Sequence, residues 1–127
     1  MRVFEAISGN LTSPGYPGNY SSDFTCVWHI KVPVKYAVKI DFDMFNLETD
    51  KKCLFDKVEF FDGAGTHAKS LGKFCGTTKP TGIRSSRNVL TVKMVTDASI
   101  IGRGFLLRWG LTHPTPPRKS DFLFCVL

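Results

Sequence analysis

Long apolar runs are missing from this sequence. Nothing approaches the roughly 18 residues that cross a bilayer as a helix, so a membrane span is not expected. Helical periodicity is missing too, and three Met against eleven Phe and eleven Gly lean towards strands and turns. No Cys-x-x-Cys occurs and no His stands at ligand spacing from a cysteine, which argues against zinc and thioredoxin-like chemistry. His29, His67 and His113 sit in no Ser/His/Asp or Cys/His arrangement. The glycines of "DGAGTHAKSLG" precede no helix with the Lys-Ser/Thr of a phosphate loop. Glu48 and Asp56 lack the positioning aromatics of a glycosidase cleft. Catalysis is therefore not expected. A dense basic run is also absent, "KPTGIRSSR" and "PTPPRKS" being the nearest. The net charge of +6 permits loose attraction to polyanions, but cations this scattered do not predict a nucleic-acid partner. After Met1-Arg2 the text "VFEAISGN" is too short and polar for a secretory signal. Either the natural leader lies outside this sequence, or Met1 is not the natural start.

What is present points to one small extracellular domain. At 127 residues the chain has room for a single core, and 43% apolar with 22% charged residues is the balance of a folded protein. The four cysteines, Cys26, Cys53, Cys75 and Cys125, are widely spaced in loop-rich sequence, as disulfides in an oxidising compartment are. Asn10-Leu-Thr12 and Asn19-Tyr-Ser21 are glycosylation sequons in turn-rich surroundings, so Asn10 and Asn19 are candidate glycan sites on a secreted glycoprotein.

Alternating segments recur. "CVWHIKV" sets Cys26, Trp28, Ile30 and Val32 against His29 and Lys31, with His29 on the outward side. "YAVKIDF" sets Tyr36, Val38, Ile40 and Phe42 against Lys39 and Asp41. "DKVEFFDGAGTHAKSLGKFCG" reads as two strands about a Gly-rich hairpin at Asp62–Gly65, and "NVLTVKMVTD" and "GRGFLLRWG" add two more strands. Short strands between Gly, Pro and Asn clusters predict an all-β fold, a sandwich of two sheets. The domain is expected over 4–111. Residues 112–127, with the three prolines of "LTHPTPPRKSD", read as a tail or linker that can run into a next module.

Four separated motifs resemble one family in order, over about residues 8 to 109: "SGNLTSPGYPGNYSSDFTCVWHI", "FNLETDKKCLFDKVEFFDG", "LGKFCGTTKP" and "LTVKMVTDASIIGRGFLLRW". They resemble a CUB domain, and "GRGFLLRW" and "LGKFCGT" look most like modules of the procollagen C-proteinase enhancer and tolloid kind. The resemblance implies an antiparallel, jelly-roll-like β-sandwich and a non-catalytic binding module of a larger secreted or cell-surface protein. It also implies a bridge between Cys53 and Cys75, the family's third and fourth cysteines. Cys26 matches the second, whose partner belongs just ahead of Met1. Cys125 either pairs with Cys26 or opens a following CUB repeat. The Pro-rich stretch before it favours the second reading, which leaves Cys26 and Cys125 free or mispaired.

In the calcium-binding branch of that family, three acids converge on one Ca²⁺. The matching positions here are Glu48, Asp56 and Asp97, with Ser99 as a further contact through its carbonyl. Three clustered carboxylates repel unless a cation intervenes, and Ca²⁺ takes six to eight oxygens from side chains, carbonyls and water. An extracellular-type affinity on the order of 10⁻⁴ to 10⁻³ M is expected. Asp50, Glu59 and Asp62 match no ligand position and read as solvated surface. Related modules dock a partner's Lys or Arg over this site, beside the tyrosine of "YPGNY", so Tyr20, Glu48 and Asp97 are the expected partner-binding residues, with Tyr20 reading equally as a packing residue. Phe45 and Ile100 are candidates for apolar surface around it, Phe45 more readily core. The alternative is a stand-alone, spermadhesin-like secreted protein that binds carbohydrate, a heparin-type glycosaminoglycan or lipid headgroups through its basic surface.

Overall fold

In the computed structural model the chain folds as two stacked β-sheets, and residues 2–20, 23–47, 53, 56–97 and 102–114 are described. Nine strands follow in chain order: β1 (Arg2–Glu5), β2 (Ser8–Thr12), β3 (Thr25–Lys31), β4 (Ala37–Asn46), β5 (Lys57–Asp62), β6 (Lys69–Phe74), β7 (Ile83–Arg84), β8 (Val89–Val95) and β9 (Gly104–Thr112). One sheet has the order β1-β3-β8-β5-β6, the other β2-β9-β4-β7. Every neighbouring pair is antiparallel except β1, which lies parallel to β3 with Arg2 opposite Trp28.

Strand alternation builds the core. Trp28 and Ile30 of β3, Leu90, Val92 and Met94 of β8, and Val58 and Phe60 of β5 face inwards from the first sheet. Leu11 of β2, Val38, Ile40 and Phe42 of β4, and Phe105, Leu107 and Trp109 of β9 meet them from the second. Simple alternation would turn Phe45 to solvent, because it follows Phe42 by an odd step. A bulge between Phe42 and Met44 takes up Asp43 and returns Phe45 to the core. Phe42 then packs edge-on against Phe45, Phe60 and Phe105 at 5.3, 5.9 and 6.1 Å between ring centres.

The outer face of the first sheet departs from the polar pattern expected of it. Thr91 points outwards from β8 yet is fully buried, because the turn joining β5 to β6 comes back over it. Its hydroxyl accepts from the Gly65 amide and donates to the Gly63 carbonyl, both at 2.8 Å. His29 stands opposite Thr91 on β3, half-buried, with Nε2 shielded from solvent and without a hydrogen-bond partner among the described residues.

The strand directions give the sandwich two ends. One gathers the start of β3, β5 and β9 with the close of β4, β6 and β8; Asp56 and Asp97 lie there. The opposite end gathers the turns around residues 5–8, 32–36, 63–68 and 85–88 with the close of β9. Phe105 ties the two sheets together, packing on Trp28 at 6.0 Å as well as on Phe42. Phe105→Ala is expected to lower the unfolding free energy by about 3–5 kcal/mol in a urea titration; a loss below about 1 kcal/mol would show that the core does not close on this ring.

Candidate metal and partner-docking end

Asp56 directly precedes β5, three residues after Cys53. That position is pinned from two directions. The Cys53–Cys75 disulfide, across 22 residues, fastens the segment before β5 to the end of β6. The amide of Leu47, just past β4, donates to the Gly76 carbonyl at 2.8 Å. The expected bridge is therefore present, while Cys26 is free and half-buried against the core. Cys125 lies outside the described residues.

The Asp56 side chain is 1% exposed. Its Oδ1 accepts the Asp97 amide at 3.0 Å, and its Oδ2 accepts the Tyr20 hydroxyl in a short hydrogen bond. No Lys or Arg among the described residues pairs with it. Burying a carboxylate is costly unless donors or a positive charge answer it.

Tyr20 is itself 1% exposed, and its position is set by both neighbours in the fold. Its amide donates to the Gly102 carbonyl at 3.1 Å, and its ring meets Phe24 edge-on at 6.3 Å. Gly104 leaves room for this packing. A Cβ there would fall 1.8 Å from Ser13 Oγ, on a backbone at φ +88°. Ser13 Oγ in turn accepts the Phe105 amide at 2.9 Å, tying the seat of Tyr20 to the core.

Asp97 follows β8 and is half-buried. Thr96 and Phe24 bind each other through the Thr96 amide (2.9 Å) and hydroxyl (3.1 Å), which fixes the chain one residue before it. The Asp97 carbonyl accepts the Asp23 amide at 3.0 Å. Asp23 had no motif to announce it. It is an exposed residue at φ +55° whose amide lies against Asp97, and only the pairing of the Asp23–Phe24 segment with β8's exit brings it there.

Of the sequence-expected site residues, the structure brings together Tyr20, Asp56 and Asp97; Glu48 and Ser99 lie outside the described residues, as do Asp50 and Ile100. Phe45 is buried in the core. Glu59 accepts the Ser70 hydroxyl at 2.7 Å, and Asp62 accepts the Ser86 amide at 2.8 Å at the opposite end. Asn10 and Asn19 are both exposed, Asn10 on β2 opposite Arg108 and Asn19 in the turn just before Tyr20. Among the described residues no group of three or more His, Cys, Asp or Glu stands together as a metal site; the side-chain groups that meet here, the Tyr20 hydroxyl and the Asp56 carboxylate, present oxygen, the atom type that suits a hard cation rather than a soft one.

Tyr20→Phe removes one of the two donors to a buried carboxylate. It is expected to cost roughly 1–3 kcal/mol of stability, measured by chemical denaturation without metal. An unchanged midpoint would mean that Asp56 does not depend on the hydroxyl.

The chain matches the model of the CUB domain over residues 2–109. It is 41% identical over 115 residues to human procollagen C-endopeptidase enhancer 1, covering 91% of this chain and 25% of that protein, so it spans about a quarter of that relative's length. Among solved structures, the full extracellular region of zebrafish Gpr126/Adgrg6 aligns with a TM-score of 0.76 at 32% identity, over 87% of this chain and 14% of that one. The MASP-1 CUB2 domain bound to Ca²⁺ aligns with a TM-score of 0.77 at 27% identity, over 86% of this chain and 96% of that one. The formed disulfide agrees with an extracellular setting. A two-sheet sandwich with this end geometry, matched in sequence over nearly its whole length, makes the chain an extracellular member of the CUB domain family.

Proposed function

We propose that the chain is a non-catalytic, calcium-dependent protein-binding module of a larger secreted or cell-surface protein. The observation that supports this most is Asp56: a carboxylate buried at a loop end, oriented by Tyr20 and the Asp97 amide, with no basic side chain paired with it among the described residues. Asp56 and Asp97 would hold the ion, with Glu48 and Ser99 as the further ligands the family pattern supplies. Calcium contributes positive charge where the acids meet and takes no part in any bond-making step.

The remaining work falls to the chain. Tyr20 acts from inside, as the positioning residue that keeps one Asp56 oxygen engaged and leaves the carboxylate's direction fixed. The segments around Tyr20 and Asp23, around Asp56 and around Asp97 come from three places in the sequence, and hydrogen bonds join them: the Tyr20 hydroxyl and the Asp97 amide to the Asp56 carboxylate, and the Asp23 amide to the Asp97 carbonyl. Stiffening them before a partner arrives reduces the ordering cost of association. Residual negative charge from Glu48 and Asp97 then receives a partner's exposed Lys or Arg in a charge-assisted contact that sets orientation. The exposed Asn10 and Asn19 are proposed to carry N-linked glycans, Asn19 at the rim of the docking end. Enzymatic deglycosylation of protein secreted from animal cells should then lower its mass in two steps, and each of Asn10→Gln and Asn19→Gln should remove one.

An ion bound only by the folded chain stabilises by mass action. With a dissociation constant near 10⁻³ M, 10 mM Ca²⁺ adds about 1.4 kcal/mol, which raises the melting temperature on the order of 5 °C. Asp97→Ala should abolish the increment and leave the metal-free melting curve cooperative. A parent protein that melts identically in Ca²⁺ and in EDTA would overturn the reading.

A further inference from the structure

Each open sheet ends in two edge strands, and an edge presents a row of main-chain donors and acceptors with which a second chain can pair. Here the edges are β1 and β6 in one sheet, β2 and β7 in the other. Three of them are protected by ordinary means. β7 is two residues long. β1 is four residues long and ends on the exposed Glu5. β6 carries Lys69 and Lys73, and its register against β5 is broken between Phe60 and Phe61. β2 has none of these devices. Its sequence SGNLT holds no charge and no proline, and its five residues lie opposite Gly110 to Leu106 without a shift in register.

The pairing with β9 shows which groups lie bare. The Leu111 amide donates to the Ile7 carbonyl and the Ser13 amide to the Phe105 carbonyl, both at 3.1 Å. Bonded pairs recur at every second residue of an antiparallel ladder, so Gly9 and Leu11 bond to β9, while the amides and carbonyls of Ser8, Asn10 and Thr12 face the open side. The side chains do little to guard them. Leu11 is buried in the core, and Gly9 has no room for a side chain, since a Cβ there would fall 2.7 Å from the Trp109 ring. Ser8, Asn10 and Thr12 are exposed and uncharged. Asn10 is the middle residue of the strand and the acceptor of the sequon that Thr12 completes. Beside it, Ser8, Gly9, Arg108 and Trp109 line a depression of about 300 Å³, which leaves space for a first sugar.

The middle position has a geometric consequence. Two copies pairing β2 to β2, antiparallel about a two-fold axis, would set their Asn10 residues opposite each other. Side chains so placed stand about 5 Å apart on one face, too close for a branched sugar on each. A lysine would repel its copy by charge; a glycan does so by volume.

We propose that an N-linked glycan on Asn10 guards this edge, keeping the chain from pairing β2 to β2 with a second copy. The inference rests on Asn10 being glycosylated, and the experiment separates the two. Thr12 changes remove the sequon and leave Asn10 in place. The full chain is secreted from animal cells as the parent, Asn10→Gln, Thr12→Ala and Thr12→Lys, and its free thiols are alkylated. Each form is examined by mass spectrometry, thermal melting and sedimentation equilibrium. The parent is expected to carry a glycan on Asn10 and to sediment as a monomer. Asn10→Gln and Thr12→Ala should melt cooperatively yet shift to about twice the monomer mass as concentration rises. Thr12→Lys, equally without the glycan but charged on the edge, should stay monomeric. A bare Asn10 in the parent overturns the glycan reading and this inference together. A glycosylated parent whose Asn10→Gln and Thr12→Ala variants remain monomeric overturns this inference alone. So does a dimer that persists in Thr12→Lys, which marks pairing through another surface.

Discussion

A carboxylate removed from water must be answered by donors or by positive charge, and among the described residues Asp56 is answered by two donors. Tyr20 and the Asp97 amide fill one acceptor direction on each oxygen, and both are neutral; in the function proposed above, a bound cation supplies the opposing charge. That one contact draws together residues 20, 56 and 97, which share no stretch of sequence. It also explains why a tyrosine with a polar tip is almost wholly buried beside Phe24.

The sandwich exists to hold that contact at a surface. Phe105 anchors both sheets and is bonded through its amide to Ser13, which packs at Gly104 beneath the Tyr20 ring. The disulfide and the Leu47–Gly76 bond fix the approach to Asp56 from the two sheets' strand ends. Burial in the core thus becomes positional precision at the loop end, where the proposed ion would be held.

Much of this was legible in sequence because two-residue periodicity is a local signal. The inward sets of β3 and of the first half of β4 follow directly from "CVWHIKV" and "YAVKIDF". The bulge at Asp43 was not legible, since nothing in "DFDMFN" says which residue is left unpaired. Neither was β1, a four-residue strand whose partner among the described residues lies parallel to it and more than twenty residues on. The burial of Thr91 and the half-burial of His29 carry no local mark, because the turn after β5 folds back over Thr91 on a face that periodicity assigns to water. At the site, Asp56 and Asp97 came from motif resemblance, whereas the burial of Tyr20 and the approach of Asp23 are tertiary facts with no local mark.

Backbone amide NMR during a Ca²⁺ titration tests the central claim most directly. The account predicts saturable shifts concentrated at the Tyr20, Asp23 and Asp97 amides, fitting one ion per chain, with the Val34 and Arg87 amides unmoved. Shifts that are absent, fail to saturate, or spread evenly over both ends would contradict it.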